Sequence, residues 1–249
     1  MYYVFNLKRV LLWSTIVALC IGLCAGGNKI TQTYKVGTRE IPIYSVERED
    51  DKIALTFNCA WNDSDIDKII EILKKNNVQA TFFLVGDWAE KYPEAASKLD
   101  AAGFEIGNHS YNHAHYSKLS REEITADMDK CDKVIEDITS KPVKLFRAAY
   151  GEYTDEVVRA CDETGRVYIQ WSADSLDYKA GSAREIIDRV MKKANRGDII
   201  LMHNGTKYTA EALETIIPAL SEKYELVSVS ELIYEDDYTI DSTGRQHKN

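Results

Sequence analysis

Between residues 52 and 229, short apolar runs alternate with stretches of helical periodicity, and this constrains the fold more than anything else in the chain. Residues 53–57 form an apolar run, after which Ile66, Ile69, Ile70, Ile72 and Leu73 recur at the spacing of one helix face. Residues 80–85 read as a second strand, followed by a helix over 88–99. The alternation continues with strands near 104–107, 143–147, 167–171, 198–203 and 226–229. Between them lie helical stretches over 120–138, 154–164, 183–195 and 208–224. Ser120 with Glu123 makes a capping box, and Thr154 reads as an N-cap. Short, fully apolar strands between helices are buried on both faces, so the expected class is α/β with parallel strands. About seven such units suit a barrel or a doubly wound sheet. Asn58, His109, Arg147, Asp174 and His203 all fall at or just beyond strand C-termini, the edge that carries chemistry in such folds.

The N-terminus reads separately. Lys8 and Arg9 precede an apolar run over 10–24, then Ala25-Gly26-Gly27. A basic start, a short apolar stretch and small residues mark an export signal. The run is shorter than the roughly 20 residues of a membrane span. Residues 1–27 are therefore a signal peptide or a signal anchor, with membrane attachment through 10–24 left open. Leu23 before Cys24 argues against lipidation. Residues 28–50 read as a linker or extended arm, 51–233 as the domain, and 234–249 as a polar, disordered tail. The net charge of -9 argues against a nucleic-acid partner. Beyond the leader, Cys59, Cys131 and Cys161 are odd in number, so no complete disulfide framework is implied.

His109 and His113 stand four residues apart in a chain with five histidines. Two imidazoles at that spacing can meet at one cation, although capping of the next helix is the plainer use. Five segments in order extend the pattern: Thr56-Phe57-Asn58-Cys59-Ala60-Trp61, His109-Ser110-Tyr111-Asn112-His113, Phe146-Arg147-Ala148-Ala149-Tyr150-Gly151, Trp171-Ser172-Ala173-Asp174-Ser175-Leu176-Asp177-Tyr178 and Leu201-Met202-His203. Over roughly residues 50 to 232 the chain resembles the polysaccharide deacetylases of the NodB-homology type, carbohydrate esterase family 4. It looks closest to the branch found in spore-forming bacteria.

The resemblance implies a distorted (β/α)7 barrel that removes acetyl groups from N-acetylated glycans such as peptidoglycan, spore-wall polymer or chitin. It implies a divalent metal, zinc being the expected ion, held by His109 and His113. Tyr150 would offer its backbone N–H to an oxyanion, Arg147 would orient the base, and Asp174 would hold His203 as general acid. Trp171 and Leu201 would line the acetyl pocket, with Tyr178 at the position of a family Trp. It further implies a monomer that is exported to the envelope, or to the spore surface.

The chain departs from the family in its first motif, where two aspartates are usual. Asn58 stands in place of the catalytic base, and an amide takes no proton from water at useful pH. Cys59 stands in place of the third ligand; it could ligate as thiolate or be a buried apolar residue. Asp63 reads as charge at the following helix start, while Asp65 is open between that role and ligand or base. Ala148 and Ala149 replace prolines. Retention of His109, His113, Arg147, Asp174 and His203 favours a metal-dependent deacetylase with a rearranged base; the alternatives are a glycan-binding protein without turnover, which Asn58 favours, and a wall- or spore-assembly protein on the same fold.

Overall fold

Strand β2 (Lys52–Cys59) is the spine of the fold, with seven of its eight residues buried. A strand can be apolar on both faces only when both are covered, and parallel neighbours and helices do that here. The computed structural model describes residues 40–249; the apolar segment 10–24 and the arm up to residue 39 lie outside the described residues. β3 (Thr81–Leu84) and β8 (Ile199–His203) pair with β2 in parallel, so Asn58 has Phe83 and His203 as register partners. The sheet continues through β4 (Glu105–Asn108), β5 (Leu145–Phe146) and β6 (Val167–Tyr168) on one side and β7 (Ala173–Asp174) on the other. β9 (Glu225–Val227) pairs with the first residues of β2.

The helices are α1 (Ile66–Lys75), α2 (Gly86–Lys91), α3 (Pro93–Ala101), α4 (Arg121–Thr139), α5 (Asp155–Thr164), α6 (Ala183–Lys193), α7 (Thr209–Ser221) and α8 (Val229–Leu232). Ser120 and Glu123 close the capping box of α4, and the Thr154 side chain accepts from Val157 N–H at the start of α5. The helical apolar faces and the odd residues of β2 share one core: Ile53, Leu55, Phe57 and Cys59 pack with Ile69, Leu73, Ile216 and Leu220. No helix among the described residues is long and apolar enough to cross a membrane.

The result is an α/β fold with a curled, all-parallel half-barrel sheet. The expected strand–helix alternation holds, but the strands at the ends of the sheet, β6 and β7, do not pair with each other. Residues 43–46 enter there instead: Ile43 bridges Ile169, and Ser45 bridges Asp198. The arm therefore packs as part of the domain from residue 40 onward, with Ile43 and Val46 buried, and is not a linker there. Gly197 permits the approach, since a Cβ at that position would stand 1.8 Å from the Val46 carbonyl oxygen.

The tail also differs from expectation. β10 (Tyr238–Ile240) and β11 (Arg245–Lys248) form an antiparallel hairpin, and β11 runs parallel to β1 (Ser45–Val46). Composition hid it because its anchors are few. Tyr238 and Ile240 are buried, and the buried Gln246 side chain bonds both the N–H and the carbonyl of Tyr234.

His247 in this hairpin lies between two carboxylates, with Nδ1 2.9 Å from Glu47 and Nε2 2.9 Å from Asp241. Hydrogen bonds to Asp241 and Glu47 hold its pKa above the ordinary 6.5. A raised folded pKa means the contribution is complete below about 6.5 and is lost as pH climbs through the folded value. For a partly exposed cluster the effect is about 1 kcal/mol. Hydrogen exchange of the β11 amides, corrected for intrinsic rates, should therefore lose protection between mildly acidic and alkaline pH. His247→Gln should flatten that dependence.

Candidate active site

The even residues of β2 turn away from the helix layer. Thr56 and Asn58 both receive the Arg147 guanidinium, with Nη1 2.9 Å from Thr56 Oγ1 and 3.0 Å from Asn58 Oδ1. Nη2 donates to the Gln170 carbonyl at 3.1 Å, and Nε has no partner among the described residues. Arg147 is fully buried, and its ring neighbours are Phe83 and Trp171. Burial pushes its pKa down to about 9. A buried guanidinium is ordinarily matched by a carboxylate. Here the group in that place is a neutral amide.

The histidine pair sits just beyond β4. Gly107 lets the strand approach Phe83, where a Cβ would come within 2.7 Å of the ring. Asn108 then fixes the turn: its Nδ2 donates to the Met128 carbonyl and to Asp132, and its Oδ1 accepts from Ser110 N–H. His113 is in the left-handed region at φ 57°. The two rings meet edge to face, with centroids 5.1 Å apart. His109 Nδ1 is 2.7 Å from the Arg147 carbonyl, which can only accept, so Nδ1 carries the proton and Nε2 a lone pair. Burial, then the neighbouring His113, holds His109 well below the ordinary histidine range. Burial, then His203, lowers His113. Both are neutral at neutral pH, the form a metal requires.

The carboxylate holding His203 is Asp177, not Asp174. Asp177 Oδ1 lies 2.8 Å from His203 Nδ1, and Oδ2 accepts from His203 N–H and from Thr209 Oγ1, each at 2.7 Å. Asp174 Oδ1 instead accepts from Leu176 N–H at 2.8 Å, closing a local turn. Leu176 is left-handed at φ 53°, and this reversal brings the second aspartate of the motif back under β8. Two aspartates three residues apart made either one available. Only the turn selects between them.

Cys59 and Asp65 do not join the histidines. Cys59 follows the strand alternation into the helix-layer core, fully buried. Burial, then Asp65, pushes its thiol well above the usual range, so it is not a thiolate. Asp65 occupies the N-cap position of α1 without a side-chain bond to the helix, and Oδ1 accepts from Gly205 N–H at 2.8 Å. It ties the β2–α1 loop to the β8–α7 loop, and burial raises its pKa. Among the described residues, no three His, Cys, Asp or Glu side chains stand together for a metal ion. Zinc centres draw on at least three protein ligands. Two neutral imidazoles beside an unneutralised guanidinium do not fit one.

The rim is aromatic. Trp61 (48% exposed) stacks on His203 at 5.3 Å between centroids, and Tyr178 (48%) meets the same ring edge-on at 5.3 Å. Tyr150 (58%) stacks on His115 at 4.1 Å and touches His113 edge-on. Its φ of 60° marks a turned backbone between Ala149 and Gly151. Leu201 is buried as the register partner of Thr56. Trp171 is half-buried against Gly151, close to where a Cβ there would fall. Sequence reasoning gave no site role to Trp61, Asp177 or Thr209. A Trp directly after the first motif was the available signal for Trp61; the hydroxyl of a helix N-terminus gives none.

Residues 45–169 match the polysaccharide deacetylase family model. The chain is 35% identical over 195 residues to the uncharacterized protein YlxY of Bacillus subtilis, covering 78% of this chain and 61% of that one. It is 32% identical over 176 residues to a peptidoglycan-N-acetylglucosamine deacetylase of Bacillus cereus, covering 69% and 64%. The chain thus spans less than two thirds of the length of either curated relative. Among solved structures, wild-type BA3943, a CE4 family pseudoenzyme from Bacillus anthracis, superposes with a TM-score of 0.75 at 36% identity. That match covers 84% of this chain and 73% of the other.

Proposed function

The chain belongs to the polysaccharide deacetylase family, and on that premise we propose that it binds N-acetylated cell-envelope glycan, peptidoglycan or a spore-wall polymer, without hydrolysing it. The observation that carries this reading is the partner of Arg147, an amide where deprotonation of water needs a carboxylate. Among the described residues no third ligand stands beside the histidine pair, which supports it. The aromatic rim gives stacking faces for sugar rings, a use of exposed Trp and Tyr that needs no turnover. The similarity to a CE4 pseudoenzyme points the same way. The export signal read in residues 1–27 would deliver such a protein to the envelope, retained there or released.

One observation favours a second reading, a deacetylase with a rearranged base: the His203–Asp177 pair keeps a histidine oriented as a proton donor to a leaving nitrogen would be. Acetate release from N-acetylated peptidoglycan, with added Zn²⁺ or Co²⁺ and with chelator, separates the two. The expected result is glycan co-sedimentation insensitive to chelator and no acetate. Metal-dependent acetate release would establish the hydrolase instead.

A further inference from the structure

We propose that the Asn58 site recognises the intact acetamido group and rejects the free amine, so that the protein distinguishes acetylated from deacetylated glycan; this rests on the glycan-binding reading above. The argument begins with Arg147, which has donors only. Its hydrogen bond to Oδ1 fixes which end of the Asn58 amide faces it, so Nδ2 points away with two protons to give. Among the described residues Nδ2 makes no hydrogen bond, although Asn58 is only 5% exposed. Asn58 is the register partner of His203, which places this donor beside the histidine that Trp61 and Tyr178 flank.

The group that suits this donor is a carbonyl oxygen. The charge on Arg147, matched by no carboxylate, favours the negative end of the same dipole. His109, tied through Nδ1 to the Arg147 carbonyl, keeps a lone pair at Nε2, an acceptor for an N–H. An acetamide offers both a carbonyl acceptor and an N–H donor, and it is neutral. A carboxylate would suit Arg147 but would face the His109 lone pair. A glucosamine ammonium offers only donors and a positive charge, and meets the Asn58 donor and the Arg147 cation. In a low-dielectric pocket like charges are costly. The first-motif change therefore reverses the polarity that a cation site would have.

The test is calorimetry of the full chain with two probes, N-acetylchitotetraose and its fully deacetylated counterpart, in mildly acidic buffer where the amine is charged. The expected result is binding of the acetylated probe about tenfold tighter or more. Asn58→Asp should erase the preference, because a carboxylate neutralises Arg147 and accepts from an ammonium. Asn58→Leu should weaken the acetylated probe without admitting the amine. Equal binding of both probes to the natural protein, or a preference unchanged in both variants, overturns the inference while the glycan-binding reading stands. Binding of neither probe overturns both.

Discussion

Asn58→Asp is expected to stabilise the protein by about 3 kcal/mol at neutral pH, against the usual run of substitutions in a buried layer. Removing one partner of a buried ion pair leaves the other charge uncompensated, and the natural chain is already in that condition. Arg147 is fully buried, its Nε is unsatisfied, and burial pushes its pKa down to about 9 from the ordinary 12.5. A carboxylate at position 58 would be 3.0 Å from Nη1 by the geometry of the amide it replaces. For a domain of this size the gain should appear as roughly 6–12 °C in melting temperature.

The pH dependence carries its own sign. A carboxyl beside a guanidinium has its folded pKa depressed, so its gain is complete above about 4 and is lost as pH falls through the folded value. At the alkaline end burial holds the Arg147 pKa below that of the unfolded chain. The stability of the natural protein rises with pH there, and the advantage of the variant shrinks. Thermal melts of both proteins across this range check both arms. A variant that melts lower at neutral pH would show that Arg147 is not short of an anion.

The second large effect distinguishes the two aspartates of the fourth motif. Asp177→Ala should cost about 3–5 kcal/mol, because four donors lose their acceptor at a buried site: His203 Nδ1, His203 N–H, Thr209 Oγ1 and Tyr178 N–H. Asp174→Ala removes one acceptor, for Leu176 N–H, and should cost about 1 kcal/mol. Urea unfolding measures both. Asp177→Asn keeps the shape but changes what Nδ1 faces, so nitrogen chemical shifts of the His203 ring should move in Asp177→Asn and stay fixed in Asp174→Ala. Equal costs for the two alanine variants would return Asp174 to the role the motif assigned it.

Much of this was legible before any coordinates. The alternation of apolar runs with helical periodicity specified a parallel α/β fold, since two-sided burial of a short strand leaves few other solutions. Asn58, His109, Arg147 and His203 were placed at one edge by strand ends alone, and the structure brings Asn58 and His203 into register and Arg147 onto Asn58. The C-terminal hairpin is not legible in the sequence, because Gln246 and two buried side chains hold it and leave almost no compositional trace.

The fold class, the family and the amide in place of a carboxylate at position 58 can be read from the chain alone, because each depends on residue type and order along it. Folding in three dimensions settles that Asp177 rather than Asp174 holds His203, that Cys59 faces the core, and that the Asn58 amide turns its oxygen to Arg147. Those outcomes turn on a left-handed residue, a strand's alternation and a guanidinium that can only donate. They are matters of direction in space, which spacing along a chain does not carry.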